Sequence, residues 1–121
     1  MIAGEADTRV GAAVVDITPP LGLRLAGYYH ERGADGALDP LFAKALVMER
    51  GAERVAFVAL DLIEVTRAVT AQAREEIGKT IGIKSDHVMI CATHTHTGPA
   101  LKTNGAHGAA VGDQPPPAAA Y

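Results

Sequence analysis

Apolar positions along this chain fall into blocks separated by glycine, proline and charge, and the spacing inside each block predicts an element. Val10 to Ile17 is a short apolar run closed by Thr18-Pro19-Pro20. Proline cannot donate to a ladder, so a strand would end there. Leu41 to Arg50 alternates well enough for a second strand, Gly51-Ala52 supplies a turn, and Arg54 to Ile63 gives a third strand. The short glycine-bearing connection predicts an antiparallel hairpin. Within the third strand, Val55-Ala56-Phe57-Val58-Ala59-Leu60 is apolar on both faces, the pattern of a strand covered on both sides of its sheet.

The period then changes. Val65, Val69, Ala73 and Ile77 recur every four residues and predict the buried stripe of a helix that Thr66 can cap and that runs to about Thr80. Arg67, Arg74, Glu75 and Lys79 take the wet face, and Glu75 with Lys79 is an i,i+4 pair in the better orientation. Gly82 suits the C-cap. Ser85-Asp86 turn the chain into His87 to Thr93, another apolar strand. Strand, helix and strand from Arg54 to Thr93 form a βαβ unit, whose strands should run parallel with a right-handed crossover. The expected fold class is α/β: a β-hairpin plus a right-handed βαβ unit, as a partial domain of a larger α/β sheet.

Two stretches carry no such period. Leu21 to Pro40 is punctuated by Gly22, Gly27, Gly33 and Gly36 and reads as a long ordered loop, a kind that is often functional. From Lys102 onward Gly105, Gly108, Gly112 and Pro115-Pro116-Pro117 lead into Ala118-Ala119-Ala120-Tyr121, where proline followed by alanines resembles a helix start. The expectation is a sequence cut inside a larger domain. It divides into an N-terminal extension (1–9), the N-terminal part of an α/β domain (10–101) and a Gly/Ala/Pro-rich loop holding the truncation point (102–121).

Composition narrows the classes. The 121 residues suit one domain or part of one, with 48% hydrophobic and 21% charged residues as in globular chains. Aromatics are only 4%, with no Trp, so the core is built from Val, Ile, Leu and Ala. A net charge of −3 without a basic patch argues against nucleic-acid binding. No run approaches the roughly 18 apolar residues of a transmembrane helix. Met1 to Val10 lack the apolar core of a signal peptide, which leaves a cytoplasmic location, or a secreted one if a leader is missing. The lone Cys91, beside the apolar Met89 and Ile90, reads as a small buried strand residue.

Candidate chemistry gathers where parallel sheets collect ligands, at the carboxyl ends of strands. Asp61 ends the strand before the helix, and His94 ends the strand after it. On an extended backbone His94 and His96 share a face, about 6.6 Å apart along the strand, so two imidazoles could converge on one metal ion. Thr93, Thr95 and Thr97 supply hydroxyls that could orient the rings, and Asp61 could hydrogen-bond a ligating histidine or instead fix a turn. Gly98-Pro99 then turns the chain sharply. His30, on the long loop, is a further site candidate. His87 reads as a surface or turn residue, His107 as a solvated tail residue, and Asp16 as a side chain that fixes the turn at Thr18-Pro19.

Ala92-Thr93-His94-Thr95-His96-Thr97-Gly98-Pro99 resembles the signature of the neutral/alkaline non-lysosomal ceramidases, whose usual form has Ser where Thr97 stands. Val14-Val15-Asp16-Ile17-Thr18-Pro19, Ala26-Gly27-Tyr28 and Leu60-Asp61-Leu62 resemble other parts of that family's opening segment. The resemblance runs from about Val10 to Leu101. It implies a zinc amidase that cleaves the N-acyl bond of ceramide or a related lipid-like amide. It implies one zinc ion, with His94 as a ligand and His96 beside it as the catalytic histidine facing substrate or the attacking water. It places substrate-facing loops near His30, and the other zinc ligands, a His, a Glu and a Tyr, beyond Tyr121. After Pro99 the family's larger members continue with glycines and aromatics. Here Ala100-Leu101-Lys102 follow, as expected of shorter bacterial relatives, which bears on the amide that is cut. Two other classes stay open at this point: a truncated or degenerate relative with weak or no metal binding and no catalysis, and a small α/β binding module without metal.

Overall fold

A computed structural model describes residues 7–30 and 32–101. Four strands, β1 (Thr8–Asp16), β2 (Phe42–Arg50), β3 (Glu53–Leu60) and β4 (Val88–Ala92), form one sheet in the order β1-β2-β3-β4. The first two pairings are antiparallel, with Ala12 opposite Leu46 and Leu46 opposite Phe57. β3 and β4 run parallel, joined through helix α1 (Arg67–Ile81) and a short 3₁₀ turn, Ser85–His87. The fold is α/β, as the hairpin and βαβ patterns predict. Residues 102–121, expected to form a loop holding a truncation point, lie outside the described residues.

Local chemistry explains the helix bounds. Thr66 accepts the Val69 N–H at 3.3 Å, satisfying one of the free donors of the first turn. Gly82 adopts a left-handed φ of 71° and its N–H returns to the Gly78 carbonyl, closing the last turn. The Glu75–Lys79 ion pair forms at 2.8 Å. Arg74 departs from the expected wet face: its Nε donates to the Val88 carbonyl at 2.9 Å, so it ties the helix to the start of β4.

Burial is one-sided. Ile83, Val88 and Ala56 are the buried centre, with Val47, Ile77 and Ile90 against them, so α1 covers the sheet face that carries Ala56 and Val88. Strand alternation sends Val10, Val14, Leu46, Phe57 and Met89 to the other face, where all stay exposed. The expected cover on both sides of β3 is thus corrected: Phe57 remains 40% exposed, because the described residues supply one helix and only one face can receive it.

The long loop is closed at its base and folded on itself. Ile17 N–H donates to the Leu41 carbonyl at 2.8 Å, and Leu41 N–H donates to Thr18 Oγ1 at 2.8 Å. Further along, Gly22 N–H reaches the Ala34 carbonyl and Leu25 N–H the Arg32 carbonyl. Asp16 accepts the Thr18 N–H at 2.8 Å, as a turn-fixing side chain should. Thr18 holds the Asp16 carboxyl below the usual carboxylate range.

Candidate active site

Parallel pairing brings the carboxyl ends of β3 and β4 together, with Leu60 opposite Ala92. The two exiting segments stay paired beyond the strands: Thr93 N–H donates to Leu60 at 2.9 Å and Thr95 N–H to Leu62 at 3.0 Å. Leu62 is 2% exposed, and this anchor fixes the Ile63 carbonyl that follows it. Nδ1 of His94 lies 3.1 Å from that carbonyl oxygen. A carbonyl only accepts, so Nδ1 is the donor here, and in the neutral form of such a ring the lone pair lies on Nε2, where a metal or a proton can bind.

His94 and His96 do come together, with ring centroids 5.2 Å apart and planes at 75°. The extended backbone expected between them is corrected. His94 has φ 63° and Thr97 φ 68°, both left-handed, which costs about 1–2 kcal/mol at each non-glycine residue. Such conformations persist where the surroundings over-determine them. Here the Leu60, Leu62 and Ile63 carbonyls hold the segment on one side, and the Ala26 carbonyl accepts the Thr97 N–H on the other. The rings meet through a left-handed turn instead of through strand alternation.

The second wall of the site comes from the long loop. Ala26 N–H donates to the Gly98 carbonyl at 2.8 Å, Ala100 N–H donates to the Arg24 carbonyl at 2.9 Å, and Leu25 bridges Pro99. Between the loop and the histidine segment lies a cavity of about 390 Å³, within the size range of small-molecule sites. Ala26, Gly27, Tyr28, Tyr29, Ile63 and Ala100 line it together with Glu64 and His94. Glu64 is absent from the sequence-based candidates, although it follows Asp61 by three residues on the same strand-end edge.

The other candidates stand apart from the cavity. Asp61 accepts the Phe42 N–H at 3.0 Å and meets Lys44 Nζ at 3.5 Å and the Thr93 hydroxyl at 3.4 Å. It therefore fastens the start of β2, and the hydrogen bond that orients His94 comes from Ile63. Thr95 shares a 2.7 Å hydroxyl contact with Thr93. His30 is exposed on the loop, its ring 6.1 Å from that of Tyr28, which also carries Arg32 over its face at 4.7 Å. His87 Nδ1 lies 3.0 Å from the Arg54 carbonyl at the opposite end of the sheet.

As a zinc site this set fits in part. His94 presents the correct tautomer, and His96 is a neighbouring imidazole. Among the described residues no three His, Cys, Asp or Glu side chains gather as a metal set. A catalytic zinc usually takes three protein ligands, so an ion at His94 needs donors from outside the described residues.

Comparison with known proteins bears on the same region. Residues 8–107 match the family model described as neutral/alkaline non-lysosomal ceramidase, N-terminal. The chain is 34% identical over 103 residues to neutral ceramidase 3 of Arabidopsis thaliana, an alignment covering 81% of this chain and 14% of that protein. Its fold matches the crystal structure of neutral ceramidase from Pseudomonas aeruginosa with a TM-score of 0.71 and 29% identity, over 79% of this chain and 16% of that one. A structure described as ceramidase complexed with C2 matches similarly, with a TM-score of 0.70 and 30% identity over the same shares. The chain thus spans only 14–16% of the length of the relatives it matches.

Proposed function

Because the chain belongs to the neutral/alkaline non-lysosomal ceramidase family, a family of hydrolases, we propose that it forms the N-terminal segment of a zinc-dependent amidohydrolase. The substrate is the N-acyl amide of ceramide or a related lipid-like amide. The observation that carries this reading is the His94–Ile63 hydrogen bond, which leaves Nε2 of His94 as a free lone pair beside a mostly apolar cavity. Zinc, when bound, supplies Lewis-acid polarisation of an amide carbonyl and activates water at neutral pH.

This chain's own residues contribute the rest of the reading. His94 would hold the ion through Nε2, with its ring aimed by the Ile63 carbonyl. His96, one ring-width away, holds or delivers a proton as the tetrahedral centre forms and collapses. Ala26, Ile63, Tyr28 and Tyr29 give the cavity an apolar lining suited to an acyl or alkyl chain. With one or two ligands among the described residues, this segment by itself is expected to be inactive.

A chimera tests the function. Residues 8–101 of this chain would replace the matched segment of the Pseudomonas aeruginosa relative, and hydrolysis of a fluorogenic N-acyl sphingosine would be followed. Zinc-dependent turnover that disappears with His94→Ala is the expected result. A folded chimera that hydrolyses no lipid amide with zinc present would overturn the proposal.

A further inference from the structure

We infer that Gly27 is the positioning residue for His96, a role that rests on the hydrolase reading only for its catalytic meaning. A Cβ built on Gly27 would lie 2.2 Å from Nδ1 of His96, 2.6 Å from Cγ and 2.9 Å from Cε1. The imidazole therefore occupies the space that any side chain at position 27 would need. The Nδ1 side of the ring lies nearest that space. The other described glycines with a neighbour within 4 Å, Gly33, Gly78 and Gly98, keep 3.3 Å at their closest.

The conflict cannot be relieved by shifting the loop. Ala26, immediately before Gly27, is hydrogen-bonded in both directions to the segment carrying His96: its N–H to Gly98 and its carbonyl from Thr97. Arg24 and Leu25 extend the same pairing to Ala100 and Pro99. Loop and histidine segment move as one unit, so an added methyl must displace the ring. The ring has an exit because His96 is exposed to solvent, and rotation about χ1 takes it off its contact with His94. Gly27 thereby decides whether the second imidazole faces the first.

The fold supplies its own control. Gly22 lies in the same loop at φ 87°, nearly the φ of 89° at Gly27, yet has no atom within 4 Å of its would-be Cβ. Alanine at either position carries similar backbone strain, and only alanine at 27 meets a ring. The experiment compares Gly22→Ala, Gly27→Ala, His96→Ala and Gly27→Ala/His96→Ala in the 121-residue chain. Histidine ring resonances and thermal melting are followed without zinc or substrate, so this test and that of the hydrolase reading can fail separately. Gly27→Ala should move the His96 resonances and, through the lost edge-on neighbour, those of His94, while Gly22→Ala moves neither. Gly27→Ala should also melt several degrees below Gly22→Ala, with that excess absent in the His96→Ala background. If Gly27→Ala fails to fold, recovery in the double variant supports the inference, and failure of both overturns it. Equal melting losses with unmoved His96 resonances would also overturn it.

Discussion

Replacing Asp61 with alanine should weaken the fold and leave His94 where it is. The Asp61 side chain, 19% exposed, accepts the Phe42 N–H at 3.0 Å, and Lys44 at 3.5 Å is half-exposed. A hydrogen bond to a charged group contributes about 1.5–3 kcal/mol, and its loss leaves the Phe42 amide at the mouth of β2 without its partner. The Lys44 pair adds little at that exposure, well under 1 kcal/mol. The expected loss is about 2 kcal/mol, roughly a thirtyfold change in the unfolding constant, since each 1.4 kcal/mol is tenfold. Asp61→Asn keeps an acceptor oxygen and should lose about half as much. Urea denaturation followed by circular dichroism measures the loss, and the His94 ring nitrogens report orientation in the same samples. A loss under about 0.5 kcal/mol would refute the fastening role. A changed His94 tautomer in Asp61→Ala would refute the assignment of Ile63 as its orienting partner.

Leu62→Ala should cost about 2–5 kcal/mol, the range for a fully buried leucine, and should also weaken the His94–Ile63 bond, read as exchange broadening of the His94 ring. Titrating zinc into the 121-residue chain should give weak binding that perturbs His94 Nε2 before Nδ1 and is absent in His94→Ala; tight binding retained in that variant would contradict the ligand assignment. Glu49 accepts from Arg9 and Arg54, and the Arg9 bond first, then the Arg54 bond, hold its carboxyl below the usual range. Its contribution to stability is therefore complete above the unfolded-state carboxylate value and is lost as pH falls through the lower folded value. A carboxyl-carbon titration should show the depressed midpoint, and Glu49→Gln should flatten the acid side of the stability profile.

Much of the scaffold is written locally and can be read locally. Thr66 and Gly82 bound α1 because capping involves residues within one turn. Gly51-Ala52 sets the hairpin between β2 and β3 for the same reason. The His94–His96 pair is legible as a motif, but its geometry is not. The left-handed φ at His94 is imposed by carbonyls more than thirty positions away in sequence, at Leu60, Leu62 and Ile63. Strand alternation is the natural reading of His-x-His when those partners are out of view. Arg74 misleads similarly: its helical position faces water by period, and only the approach of β4 offers its Nε an acceptor. Glu64 could have been found by extending the strand-end argument three residues past Asp61, since the segment still runs along the same edge.

The bare side of the sheet has a practical consequence. Among the described residues, Val10, Val14, Leu46, Phe57 and Met89 form an oily plate presented to water, and β1, which carries the first two, is an edge strand of the sheet. Such surfaces recruit whatever apolar matter is nearby, including further molecules of the same kind. Concentration then enters the stability of the isolated polypeptide as a variable in its own right, and melting curves taken at two dilutions would not superimpose.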